Sequence, residues 1–251
     1  DKYKTMLQFS FNCLEQEITS SKADVTALKK TLSRYSSGVS YNTIKRHLNV
    51  LINEAIHLGM ENNPMQDIKS KKAKALLHKP FDNIVTILED IKRFNKHLHL
   101  CCLLTYGCLL RPHREVRELK WGDFSNDLSY ITLSGYRNKS GRKRIVPVPN
   151  YIKPFLHKKG LDDNVFTGDQ KSRNPDYFKT LWSRFKKRSK VLKEGQTLYS
   201  FRHSGAIDIF KRTGSITKLQ KAMGHSTINV SLTYLRGLEV SELTENDMPK
   251  I

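Results

Sequence analysis

The chain has 251 residues, enough for one large domain or for two with one of them small. Hydrophobic residues make up 38% and the mean hydropathy is −0.54, so a real core is expected, and no apolar run approaches the roughly 18 residues that would span a membrane. Lys and Arg number 44 against 24 Asp and Glu, a formal charge of +20, which points toward a polyanionic partner, nucleic acid above all. The excess is uneven: residues 171–193 hold nine Lys/Arg and one acid, while the segment after Tyr234 is mildly acidic. The cysteines are Cys13, Cys101, Cys102 and Cys108, with no CxxC pair to suggest zinc, and they fit a reduced cytosolic chain.

In chain order, residues 3–18 and 23–35 read as two short helices. The first clear helix runs from about Ser40, a plausible N-cap, to Leu58, with Ile44, Leu48, Leu51, Ala55 and Leu58 on one face and Gly59 as the stop. A helical domain over 1–68 follows from this. Residues 69–80 are basic and aperiodic and read as a linker able to lie along phosphates. A second domain, 81–251, opens with helices at 82–93 and 96–110, the latter apolar on most faces and so expected to be buried. A strand pair, Ser129–Ser134 and Lys143–Val148, brackets a polar turn with two glycines. Helices return from Asn174-Pro175, then at about 201–212, 216–223 and 227–236. The fold class expected is mainly α with a small antiparallel β-sheet.

The densest chemical signal is Tyr199-Ser200-Phe201-Arg202-His203, then Met223-Gly224-His225, then Tyr234 nine positions on. Gly224-His225-Ser226-Thr227 reads as a helix break followed by a new cap, which puts Tyr234 two turns into a short helix. Taken singly, each of these residues has a commoner structural use, as core tyrosine, capping histidine or surface arginine. Their ordered occurrence is the signal.

Read in order, Arg111, Lys139, Tyr199-x-x-Arg202, Gly224-His225 and Tyr234 resemble the tyrosine recombinase and phage integrase family, marked by Arg, Lys, His-x-x-Arg, Gly-His and Tyr. The resemblance is specific over about 76–251 and loose before that. Two positions depart from the pattern. Tyr199 stands where the family has His, and His203 is its neighbour. The family places Arg three residues before Glu; Glu115, Leu119, Trp121 and Asp123 match, but one residue is inserted in Arg111-Pro112-His113-Arg114-Glu115. Arg111 is preferred as the first arginine, with Arg114 as the rival.

The resemblance implies a two-domain clamp on double-stranded DNA attachment sites and site-specific strand exchange through a 3′-phosphotyrosyl intermediate, by a homotetramer on DNA. It implies no metal and no other cofactor, and a bacterial mobile element acting on DNA in the cytoplasm, near the nucleoid. The residue types suit the chemistry. Arg111 and Arg202 can hold the non-bridging oxygens of a five-coordinate transition state with paired N–H bonds, and His225 can add another. A phenol nucleophile, Tyr234, conserves bond energy because its anion is a competent leaving group. Lys139 is the candidate acid for the departing 5′ oxygen. Tyr199 can donate or accept a hydrogen bond but is a poor base near neutrality. The acidic, partly apolar tail (Val240, Leu243, Met248, Ile251) is expected to dock on a neighbouring protomer. The alternatives are a type IB topoisomerase-like enzyme and a DNA-binding relative that no longer cuts.

Overall fold

A computed structural model of the chain describes residues 2–18, 24–73, 78–137, 141 and 143–235. The chain divides into two compact units, residues 1–76 and 77–251. The described residues are mainly helical, with one two-stranded antiparallel sheet. Among the described residues, no helix is long and apolar enough to cross a membrane.

The first unit packs α1 (Lys2–Glu15), α2 (Val25–Ser33) and α3 (Gly38–His57) around Leu14, Leu28, Leu32, Leu48, Ile52, Met65 and Ile68. Asp24 caps α2 by accepting from the Ala27 amide at 2.7 Å. The expected cap of α3 is corrected: Ser37, not Ser40, is the N-cap, and Ser37 makes no side-chain cap bond. Gly38 starts the helix under the Lys72 carbonyl, where a Cβ would sit 2.9 Å from that oxygen. Close packing of the following segment therefore decides the helix start, and the local capping signal does not. That segment is the first half of the expected linker. Residues 69–73 run along α3, where the Asn42 side chain donates to Lys71 O (2.7 Å) and accepts from Lys71 N (2.9 Å). Residues 74–77 lie outside the described residues. Residues 78–80 belong to the second unit, where Lys79 N donates to Gly195 O and Gln196 donates to Pro80 O.

The second unit is built around α5 (Lys96–Gly107), buried from Leu98 to Thr105 as its all-round apolarity predicts. Asn83 caps the preceding α4 (Ile84–Phe94), and Asn95 caps α5. Strands β1 (Tyr130–Leu133) and β2 (Arg144–Pro147) pair with Ile131 opposite Val146 and Leu133 opposite Arg144, each within a residue or so of the expected bounds. α6 (Tyr177–Arg188) buries Phe178, Leu181, Trp182 and Phe185 as a stripe. It begins after an Asx turn in which Asn174 accepts from Asp176 N, so Pro175 lies just before the helix rather than at its first position.

The largest correction falls on α7 (Leu198–Thr213), which starts three residues earlier than expected. Thr197 accepts from Tyr199 N, and the Ser200 hydroxyl accepts from Thr197 N at 2.9 Å, a reciprocal cap that the spacing Thr-x-x-Ser encodes. α7 then crosses α5 so closely that a Cβ on Gly205 would lie 2.2 Å from Tyr106 O. α8 (Ile216–Met223) ends at Gly224 with φ +67, and α9 (Ile228–Leu235) follows. Leu109, Ala206, Leu219 and Met223 form a small apolar cluster that takes Tyr234 and Leu235 against it. That cluster ties the last two helices to α7.

Candidate active site

The early start of α7 puts Tyr199, Arg202 and His203 on one helix, at i, i+3 and i+4. Arg202 is fully buried. Its Nη2 donates to Met223 O at 2.8 Å, at the end of α8. Among the described residues its Nε and Nη1 have no partner at hydrogen-bonding geometry, although the Tyr234 phenol lies close enough to favour the charged form. Burial, then the nearby Arg111, pulls the Arg202 pKa below its usual range. A buried guanidinium with unpaired N–H groups is costly, and an anion arriving there would relieve the cost.

Arg111 follows a turn of backbone in which Leu109 adopts φ +51. The inserted residue is absorbed by a π turn, Pro112–Val116, closed by Val116 N donating to Arg111 O at 3.0 Å. The widened turn leaves Arg111 facing Glu115. The fully buried Glu115 carboxylate accepts from the Arg111 backbone amide (2.9 Å), from the Arg111 guanidinium, and from Arg144 Nη2 (2.7 Å). Arg114, the rival, has its side chain 60% exposed, donates to Tyr136 O and faces Glu118. Of the two, Arg111 acts electrostatically on Arg202, Tyr199 and His225.

Arg144 was not anticipated. It is buried, donates to Ala222 O at 3.1 Å as well as to Glu115, and packs against Gly224, where a Cβ would meet its Cδ at 2.9 Å. Burial lowers its pKa to about 10 despite the Glu115 carboxylate. Its signal was readable: on β2 it alternates into the core with Val146, and a charge at an inward strand position requires a buried partner.

Gly224 reverses the chain and delivers His225, whose Nδ1 lies 2.9 Å from the Ser231 hydroxyl. Burial first, then the charges of Arg202, Arg111 and Arg144, pushes the His225 pKa down to about 4. The Tyr234 ring lies between two imidazoles, 5.4 Å from His225 and 5.5 Å from His203 by ring centroid. The structure thus brings Arg111, Tyr199, Arg202, His225 and Tyr234 into one neighbourhood. Lys139 lies outside the described residues, as does the tail beyond Leu235.

Tyr199 is flanked by two histidines that the sequence did not single out. His78 stacks on its ring (5.2 Å, 16° between planes) and His113 leans on it (5.6 Å, 54°). Burial raises the Tyr199 pKa, with Arg111 and Arg202 opposing, so its hydroxyl stays protonated and able to donate.

The chain can now be set beside known proteins. It is 25% identical over 202 residues to a Pseudomonas phage Pf1 protein to which an integrase role is ascribed; the match takes in 77% of this chain and 56% of that one, so the chain spans a little over half of that relative's length. Its fold superposes on lambda integrase dimer bound to a core site with a TM-score of 0.78 at 18% identity, covering 95% of this chain and 90% of the other. The Tn1549 transposon integrase, in complex with a circular-intermediate DNA, superposes with a TM-score of 0.68 at 18% identity over 90% of this chain and 87% of that one. The model of the phage integrase family matches residues 74–239, two thirds of the sequence and all of the site described above, and the chain belongs to that family.

Proposed function

We propose that the chain is a site-specific DNA recombinase that cuts and rejoins duplex DNA through a 3′-phosphotyrosyl bond to Tyr234. The observation that carries this reading is the Tyr234 phenol placed beside the buried Arg202 guanidinium, whose Nε and Nη1 have no hydrogen-bond partner among the described residues. An anion is what such a group lacks, and a phosphodiester supplies it next to the nucleophile. The phenol releases its proton to solvent, its oxygen attacks phosphorus, and the bond from phosphorus to the 5′ oxygen breaks. Arg111 and Arg202 hold the non-bridging oxygens. His225 is neutral in the free site, and if Ser231 donates to Nδ1, Nε2–H faces outward to donate as well. Tyr199 adds a hydroxyl donor where an imidazole would otherwise stand. Lys139 protonates the departing oxygen. The cations come from the protein, so the reaction requires no metal and no ATP.

By analogy with lambda integrase, seen as a tetramer on a Holliday junction, four protomers act on paired duplexes. The two units, residues 1–76 and 77–251, are proposed to grip DNA together in the bacterial cytoplasm.

The test is covalent trapping. A pool of randomised nicked duplexes is incubated with the protein, and adducts that survive SDS are recovered and sequenced. An adduct with a defined site, lost in Tyr234→Phe, is the expected result. Full DNA binding with no adduct would show a relative that binds without cutting.

A further inference from the structure

The inserted residue in the Arg111–Glu115 segment has a geometric consequence beyond keeping Arg111 and Glu115 paired. The π turn carries His113, and its ring leans on the Tyr199 ring. There it borders a recess of about 410 Å³ lined by His78, His113, Lys179, Trp182, Lys186 and Tyr199, among others. No carboxylate lines the recess; Asp176 is near His113 but pairs with Lys179 outside it. His78 Nδ1 is engaged with the Thr197 hydroxyl at 3.0 Å, whereas His113 makes no side-chain hydrogen bond among the described residues.

A recess with Lys179 and Lys186 on its lining, no carboxylate among its described lining residues and an imidazole free to donate suits an anion. Tyr199 links it to the central cluster, since Tyr199 lines the recess and both Arg111 and Arg202 act electrostatically on its phenol. Two adjoining anion sites on a chain that takes DNA correspond to successive phosphates of one strand. We propose that this recess is a second phosphate subsite, in which His113 hydrogen-bonds the DNA phosphate next to the scissile one. The inference rests on the recombinase reading and extends it. It also gives the two departures from the family pattern a common account: the extra residue supplies, from the side, an imidazole beside a tyrosine that replaced one.

A purely structural His113, stacked on Tyr199 for packing, predicts something different. The discriminating experiment uses the nicked duplex recovered by trapping, remade with a single neutral methylphosphonate at each phosphate flanking the scissile one. With wild-type protein, one flanking substitution is expected to slow adduct formation about tenfold. His113→Ala is expected to slow the unmodified duplex by a similar factor and to be indifferent to that same substitution, because the contact is already gone. Lys186→Ala, on the exposed side of α6, probes the recess without touching the turn and should lose part of the same sensitivity. If both variants keep the full wild-type sensitivity at every flanking phosphate, the subsite is refuted. If wild-type protein forms no adduct on any duplex, the recombinase reading itself fails and the subsite falls with it.

Discussion

At the scale of single residues, Glu115 is the pivot of the site. It is fully buried, and it holds Arg111 and Arg144 to one carboxylate. Glu115→Ala would leave buried Arg144 without its counter-charge, and a loss of about 3–5 kcal/mol of unfolding free energy in urea is expected. Glu115→Gln keeps an acceptor for the Arg111 amide and should cost less. Arg202→Lys separates chemistry from folding. Lysine keeps the charge but cannot bond Met223 O and present two further N–H groups in one plane, so adduct formation should fall about a hundredfold with an unchanged circular dichroism spectrum. An unaltered rate would mean the free guanidinium nitrogens do not meet the phosphate. Most of these residues could be read from the sequence because their order survives the departures. His113 could not, because what makes it matter is a neighbour far away in sequence, and Arg144 left only its inward strand position as a signal.

At the scale of elements, the contact of α5 with α7 sets where Arg202 and Tyr199 stand. Gly205 is where the two helices meet, and a methyl there would collide with Tyr106 O and with Leu109 Cδ2 at 2.8 Å. Gly205→Ala should cost about 1–3 kcal/mol or more by overpacking, read as a lower melting temperature, and should slow cleavage by shifting α7. A variant as stable as wild type would show that the helices separate without penalty. Helix periodicity located α4, α5, α6, α8 and α9 within a few residues. It missed the start of α7 because Leu198 and Tyr199 precede the apolar repeat, and only the Thr197–Ser200 cap marks them as helical. At α3 the reverse held: a good local cap at Ser40 lost to the packing of Lys72 on Gly38.

At the scale of the whole molecule, charge and burial make opposite demands. With a formal +20, binding to DNA should weaken steeply with salt, and a plot of log affinity against log salt should fall by about 0.9 per phosphate neutralised. A salt-independent affinity measured by fluorescence anisotropy would contradict an electrostatic interface. In the second unit, His78, His97, His99, His113, His203 and His225 all have pKa values below the usual 6.5, chiefly through burial. For a base depressed in the fold, the unfolded chain binds the proton first, so stability falls as pH drops below about 6.5; for His225 the loss continues to about 4. The lowered carboxylates Glu17 and Asp127 titrate below that window, so between pH 7 and 5 the imidazoles govern. The melting temperature of the second unit should therefore drop across that range, and His225→Asn should flatten the slope.

The sequence by itself determined the helical class, the two-stranded sheet and the family, because apolar period, turn residues and the order of a few polar residues are local properties. Only the tertiary structure decided that Arg111 rather than Arg114 turns inward, that Arg144 shares the Glu115 carboxylate, and that two histidines flank Tyr199. Each of those depends on which groups are deprived of water together, and burial is a property of the packed chain.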